Sequence, residues 1–167
     1  MKVVISGSFR KHLQGILDLK NALEKRGITV LKPDKIQTVD TPERPDFVKF
    51  EGEEVIPPLV LEMQYLKAIS ECDVHIIYNK DSYLGNRALR ELGYSNGCKN
   101  KKYFLEMPDL DKMIASKNEK EEMKQQEIRD FCEYLLRGIE KGKFRVGIEQ
   151  LYKDFNIEEP KIAEIDR

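Results

Sequence analysis

The chain has 167 residues, 40% of them apolar and 35% charged, with 29 Lys+Arg against 30 Asp+Glu and a formal net charge of −1. This length favours a single domain with a real hydrophobic core, and the composition excludes a disordered or fibrous chain. The balanced charge offers no overall basic field for a nucleic acid, and no apolar stretch has the length of a membrane span.

The three cysteines, Cys72, Cys98 and Cys132, are odd in number and widely spaced, with no Cys-x-x-Cys pair. Neither a disulfide framework nor a zinc site is expected. Two histidines, His12 and His75, cannot form a metal cluster alone. The opening Met1-Lys2-Val3-Val4-Ile5-Ser6-Gly7 is too short in apolar residues for a secretion signal. The expected setting is a reducing cytoplasm, with no metal, cofactor, nucleic acid or membrane.

Val3-Val4-Ile5 reads as a buried strand ended by Ser6-Gly7-Ser8. Leu13, Ile16, Leu17 and Leu23 then recur at helical spacing, and Gly27 stands where a helix stops. Ile28–Leu31 is a second strand, so the chain opens with a β-α-β unit and a parallel sheet is expected. Residues 34–58, with Pro42, Pro45, Pro57, Pro58 and Gly52, break this rhythm. They read as a long loop, with room for a short hairpin, that is either a lid over a site or a disordered excursion; Phe47 and Phe50 are its candidate anchors. A helix follows over Leu59–Glu71, with Leu59, Met63, Leu66 and Ile69 on one face. Asp73–Tyr78 is a third strand, a loop runs from Asn79 to Gly85, and a helix carries Glu91. Tyr103–Leu105 is a fourth strand. Beyond residue 107 no strand is expected: Ser116–Glu119 resembles a capping box opening a long helix, and Ile128, Phe131, Leu135 and Ile139 form its apolar stripe. Residues 1–107 are therefore read as an α/β domain and 108–167 as a helical extension.

In an open parallel sheet, ligands bind beyond the carboxyl ends of the strands. Two loops fall there. Gly7-Ser8-Phe9-Arg10 combines close backbone approach, a hydroxyl, helix-start N–H groups and a guanidinium, a set suited to phosphate. It matches neither the dinucleotide fingerprint nor the NTPase loop, and taken alone an ordinary β-α turn with a capping serine is the stronger reading. In the second loop, Asn79–Asn86, Gly85 and Asn86 suit a tight turn into a helix. Ser82, Tyr83 and Asn86 offer hydrogen bonds to a sugar or phosphate. Glu91, six residues after Gly85, is followed by Leu92-Gly93-Tyr94 rather than by basic residues. It either touches a ligand at that loop or is a solvated helix glutamate. His75 reads as packed within a strand, and Cys72 and Cys98 as small buried hydrophobes.

Taken together, Gly7-Ser8-Phe9-Arg10 after the first strand, and Tyr83-Leu84-Gly85 followed after five residues by Glu91-Leu92-Gly93-Tyr94, resemble the nucleoside 2-deoxyribosyltransferase family, over roughly residues 1–107. The resemblance implies a flavodoxin-like Rossmann variant with helices flanking a parallel sheet. It also implies a homo-oligomer, a dimer or larger, whose sites can borrow residues from a neighbour. The implied activity is cleavage or transfer of the N-glycosidic bond of a (deoxy)nucleoside or its 5'-monophosphate. Glu91 would be the nucleophile, forming a glycosyl-enzyme ester, and Gly7, Ser8, Phe9 and Arg10 would hold a 5'-phosphate. The family's second carboxylate falls on Tyr65, with Glu62 one turn earlier. That absence keeps a second expectation open: a non-catalytic nucleotide-binding or regulatory module of the same fold.

Overall fold

A computed structural model describes residues 1–40, 48–118 and 124–158, with the backbone only at 117 and 118. Its main sheet contains β1 (Lys2–Gly7), β2 (Thr29–Lys32), β5 (Val74–Tyr78), β6 (Lys101–Phe104) and β7 (Phe144–Val146), all parallel, in the order β2-β1-β5-β6-β7. Counting only these five strands, the order is 2-1-3-4-5, that of the flavodoxin-like doubly wound sheet. The connections reverse direction between β1 and β5, so a crevice opens at the carboxyl ends of those two strands. Val3, Val4, Ile5, Val74, Ile76 and Ile77 are wholly buried, as central strands covered on both faces require.

The helices are α1 (Phe9–Lys25), α2 (Pro58–Glu71), α3 (Asn86–Ser95), α4 (Leu110–Asn118), α5 (Gln125–Glu140) and α6 (Ile148–Asp154). On one face of the sheet, Ile16 and Leu23 of α1 and Leu151 of α6 pack on Val3, Ile5, Ile76 and Tyr103. The other face divides. Tyr65 and Ile69 of α2 cover Val4, while Leu92 of α3 and Ile128, Cys132 and Leu135 of α5 cover Ile77, Phe104 and Phe144. The short strands β3 (Thr38–Val39) and β4 (Lys49–Phe50) form an antiparallel pair within the expected loop. Phe50 is buried there as an anchor; Pro42, Pro45 and Phe47 lie outside the described residues.

Three expectations are corrected. The stretch after residue 107 does contain a strand: β7 pairs with β6, Tyr103 opposite Arg145. A strand of three residues is too short to show a period of two, and only the sheet edge makes it a strand. Residues 116–118 end α4 instead of opening a helix, with Glu119 outside the described residues. Helix α4 starts after Asp109, whose carboxylate accepts the Lys112 N–H at 3.1 Å. The long helix begins at Gln125, where Glu127 accepts the Lys124 N–H at 3.0 Å. On α2, Leu59 and Met63 are exposed (68% and 61%) and the buried face runs through Leu61, Tyr65, Ala68 and Ile69. This helix is apolar on most sides, so periodicity picks no unique face.

Helix α5 meets β7 at a glycine. A Cβ on Gly138 would lie 2.4 Å from two ring carbons of Phe144, which is wholly buried. Gly138→Val is expected to destabilise the fold by about 1–3 kcal/mol through overpacking. A urea melt reads this, and an unchanged midpoint would contradict the packing described.

Candidate active site

Glu91 lies on α3 and is 1% exposed, so it is not a solvated helix residue. Its Oε1 accepts Arg87 Nε at 2.9 Å, one helical turn earlier, and its carboxylate is hydrogen-bonded to the Ser6 side chain. Ser6 immediately precedes Gly7-Ser8-Phe9-Arg10. The carboxylate therefore faces the carboxyl end of β1, where the sheet order places a crevice. Burial pushes its pKa up; the Arg87 charge and the Ser6 and Arg87 hydrogen bonds oppose this, and Glu62 adds to the rise.

Tyr65 of α2 is buried beside it. Its hydroxyl has no hydrogen-bond partner among the described residues, and its ring lies 4.5 Å beneath the Arg87 guanidinium carbon. Burial above all, then the charge of Glu91, pushes the phenol well above its ordinary value. Glu62, a turn earlier, is half-buried and pairs with Arg90 Nε at 3.0 Å. Arg87 thus links Tyr65 to Glu91, and Arg90 ties α2 to α3.

The two predicted loops meet. An added Cβ on Gly85 would come within 4.0 Å of Ser8 Cβ and 3.8 Å of the Tyr83 ring. Ser8 caps α1 through its carbonyl, which accepts His12 N–H at 2.8 Å, while its hydroxyl makes no capping bond. Arg10 is exposed on the first turn of α1, and Gly7 is crowded by Ile16 and Tyr78, each 3.0 Å from where its Cβ would be. Phe9 packs edge-on to Phe50 and Tyr65, with centroids at 5.6 and 6.3 Å, and so joins the β3–β4 segment to α2 beside the crevice. Lys11 Nζ lies 3.9 Å from the centre of the Tyr83 ring. Asn86 is exposed at the start of α3.

Asn79 and Ser82 make internal contacts. Asn79 donates to the Glu106 carbonyl at 2.9 Å and accepts its N–H at 3.0 Å; Ser82 Oγ accepts the Asp109 N–H at 2.9 Å. Asp81 and Ser82 both hold φ of 55°, a left-handed conformation that these bonds sustain.

Sequence reasoning missed Ser6 and Arg87. The signal for Arg87 is its i, i+4 spacing to Glu91, one helical turn upstream. Ser6 carried no signal, because its partner is distant in sequence. His12 Nε2 is buried without a hydrogen-bond partner among the described residues, and burial lowers its pKa. Cys72 is an inert thiol, pushed up to about 11 by burial. Among the described residues no group of three or more His, Cys, Asp or Glu could hold a metal ion, and no helix is long and apolar enough to cross a membrane. A groove of about 440 Å³ along α5 and the turn that follows it, lined by Asp130, Glu133, Tyr134, Arg137 and Lys143 among others, includes none of the predicted site residues.

No protein-family model matches the sequence, and no curated protein matches it. Among solved structures, the chain is similar in fold to the Clostridium botulinum CMP N-glycosidase BcmB. The TM-score is 0.50 at 16% identity, over 93% of this chain and 98% of the other. Such coverage cannot be confined to residues 1–107, so the likeness of fold extends into the C-terminal stretch.

Proposed function

We propose that this protein cleaves or transfers the N-glycosidic bond of a (deoxy)nucleoside or nucleoside 5'-monophosphate through a glycosyl ester on Glu91. The observation that carries the reading is a buried carboxylate, held by Arg87 and Ser6, at the carboxyl end of β1 beside a loop suited to phosphate. The fold likeness to a CMP N-glycosidase adds support. Glu91 attacks the anomeric carbon, the bond from that carbon to the base nitrogen breaks, and the electron pair leaves with the base. Water then displaces the ester to give a hydrolase, or a second base displaces it to give a transferase, with net retention in either case.

The departing base needs a proton. Tyr65 is a neutral donor beside Glu91, and its raised pKa keeps the phenol protonated until an anionic leaving group forms beside it. Glu62, paired with Arg90, is the other candidate. Tyr83, Gly85 and Asn86 line the sugar side, while Asn79 and Ser82 act by shaping that loop. Incubation with ribo- and deoxyribonucleosides and their 5'-monophosphates, with chromatography for free base, tests the reading. No release from any of them, or equal release by Glu91→Ala, overturns it.

Gly7, Ser8, Phe9 and Arg10 form the phosphate end. Arg10→Ala is expected to raise KM for 5'-monophosphates roughly 10- to 100-fold, the worth of a charge-assisted hydrogen bond, while leaving KM for the unphosphorylated nucleoside unchanged. Equal effects on both substrates would remove Arg10 from phosphate binding.

Tyr65 in place of a carboxylate favours a second reading, a non-catalytic nucleotide-binding module. In that case a nucleotide raises the melting temperature without being consumed. The proposal also includes a homo-oligomer. Leu59, Val60 and Met63 are exposed on α2, the helix that also carries Glu62 and Tyr65, and pairing of two copies there would cover them. Sedimentation is expected to give at least twice the chain mass, with Met63→Lys shifting it toward the monomer; a monomeric wild type would refute this.

A further inference from the structure

Behind Glu91 lies a buried pair, Ser6 and His75, whose imidazole the proposed chemistry leaves unused. Ser6 Oγ and His75 Nε2 are 2.7 Å apart, and both side chains are wholly buried. They are diagonal neighbours across β1 and β5, for Ser6 sits opposite Ile77 and His75 opposite Val4. Ser6 also bonds Glu91. One hydroxyl therefore bridges an imidazole and a carboxylate inside the protein.

We propose that His75 and Ser6 are positioning residues for Glu91, forming a directed relay in which His75 Nε2–H donates to Ser6 Oγ and Ser6 Oγ–H donates to the Glu91 carboxylate. The direction follows from proton counting. A serine has one proton, and an ionised carboxylate can only accept, so the serine proton lies toward Glu91 and the imidazole must supply the other. His75 Nδ1 has no hydrogen-bond partner among the described residues. With the proton on Nε2, Nδ1 buries only a lone pair; the other tautomer would bury an unpaired N–H.

The surroundings keep the imidazole neutral. His75 is opposite Lys102 on β6, whose Nζ donates to the carbonyls of Cys98 and Asn100 at 3.3 and 2.9 Å. Burial, then the Lys102 charge, pushes the His75 pKa down to about 3. The charged and titratable groups around Glu91 are Arg87 on its own helix and Glu62 and Tyr65 on α2, with His75 behind Ser6. Asp34 and Glu53 act on Tyr65 from further away. Of these, the Ser6–His75 arm is the one that comes from the strands of the sheet, whereas Arg87 comes from the helix.

The inference rests on Glu91 as the working carboxylate, and its test separates the two. Nitrogen-15 NMR of the imidazole in the full chain is expected to show a neutral His75 with its proton on Nε2 from pH 5 to 9. Carbon-13 NMR of the Glu91 carboxyl is expected to show its titration midpoint moving upward in Ser6→Ala and staying near wild type in Ser6→Thr. His75→Gln, which keeps an N–H donor, is expected to preserve the midpoint, whereas His75→Phe shifts it. In the base-release assay, Ser6→Ala is expected to lose roughly 10- to 100-fold in kcat at unchanged KM, with its acid limb moved to higher pH. A proton on Nδ1, or a Glu91 midpoint unmoved in Ser6→Ala, overturns the relay whether or not the protein turns over nucleotides. Absence of base release by the wild type with both spectra as expected would fail the enzymatic reading and leave the relay standing.

Discussion

Glu91→Gln is expected to abolish base release, by about 10⁴-fold or more, and at the same time to stabilise the protein near neutral pH. The first effect follows because an amide cannot form the ester. The second follows from the upward pKa shift caused mainly by burial. A carboxyl whose pKa is higher in the folded than in the unfolded chain favours folding most when protonated. That stability is fully present below the ordinary value of 4.5 and is lost as pH rises through the folded value. Above that folded value the wild type has lost it, whereas a neutral glutamine has nothing to lose and can still accept from Arg87. Thermal melts are expected to show Glu91→Gln above the wild type at pH 7.5 and level with it at pH 4, with roughly 2–4 °C for each kcal/mol regained. The same shift places the acid limb of base release above pH 4.5, since attack needs the ionised form. A variant less stable than wild type at pH 7.5 would mean that Arg87 and Ser6 outweigh burial.

Deleting residues 108–167 is expected to unfold the chain outright. Ile77, Leu84, Ala88, Leu92 and Phe104 are covered by Met113, Ile128, Cys132, Leu135 and Phe144 from the deleted part. On the other face Leu151 is lost, with the bond between the Tyr103 hydroxyl and Asp154 at 2.6 Å. Each such side chain is worth about 1.5–3 kcal/mol when fully buried, so a few of them equal the usual whole stability of about 5–15 kcal/mol. Circular dichroism and urea titration of the 1–107 fragment read the outcome. A soluble fragment with a cooperative transition would make the C-terminal stretch a dispensable appendage.

The parts that were legible in the sequence are those whose signals are local. Val3-Val4-Ile5 and the apolar run after Asp73 are central strands, and central strands announce themselves as unbroken apolar runs. Glu91 stood out by its distance from Gly85, and the two loops facing the crevice were legible from strand ends alone. What escaped depended on partners far along the chain. Nothing near Ser6 predicts His75, 69 residues away, and nothing near Phe144 predicts the edge of β6. The misphased face of α2 is a different failure: Leu59, Val60, Leu61 and Met63 are apolar in nearly every direction, so the neighbours decide which of them is buried. Asn79 and Ser82 show a third. A polar residue in a site loop looks like a ligand contact until its hydrogen bonds are counted, and theirs go to Glu106 and Asp109.

The position of β7 also bears on how the chain is made. Its partner strand ends at Phe104, and the residues that close over that edge run to Val146. At a synthesis rate of about 5–20 residues per second, the ribosome has β6 finished some 2–8 s before it completes the strand that pairs with it. Throughout that interval a hydrophobic edge with open backbone N–H and C=O groups has no mate from its own chain, the circumstance that invites pairing with another nascent copy. Expression yield is therefore tied to how fast the message is read beyond position 104: slowing codons placed there would lengthen the exposure.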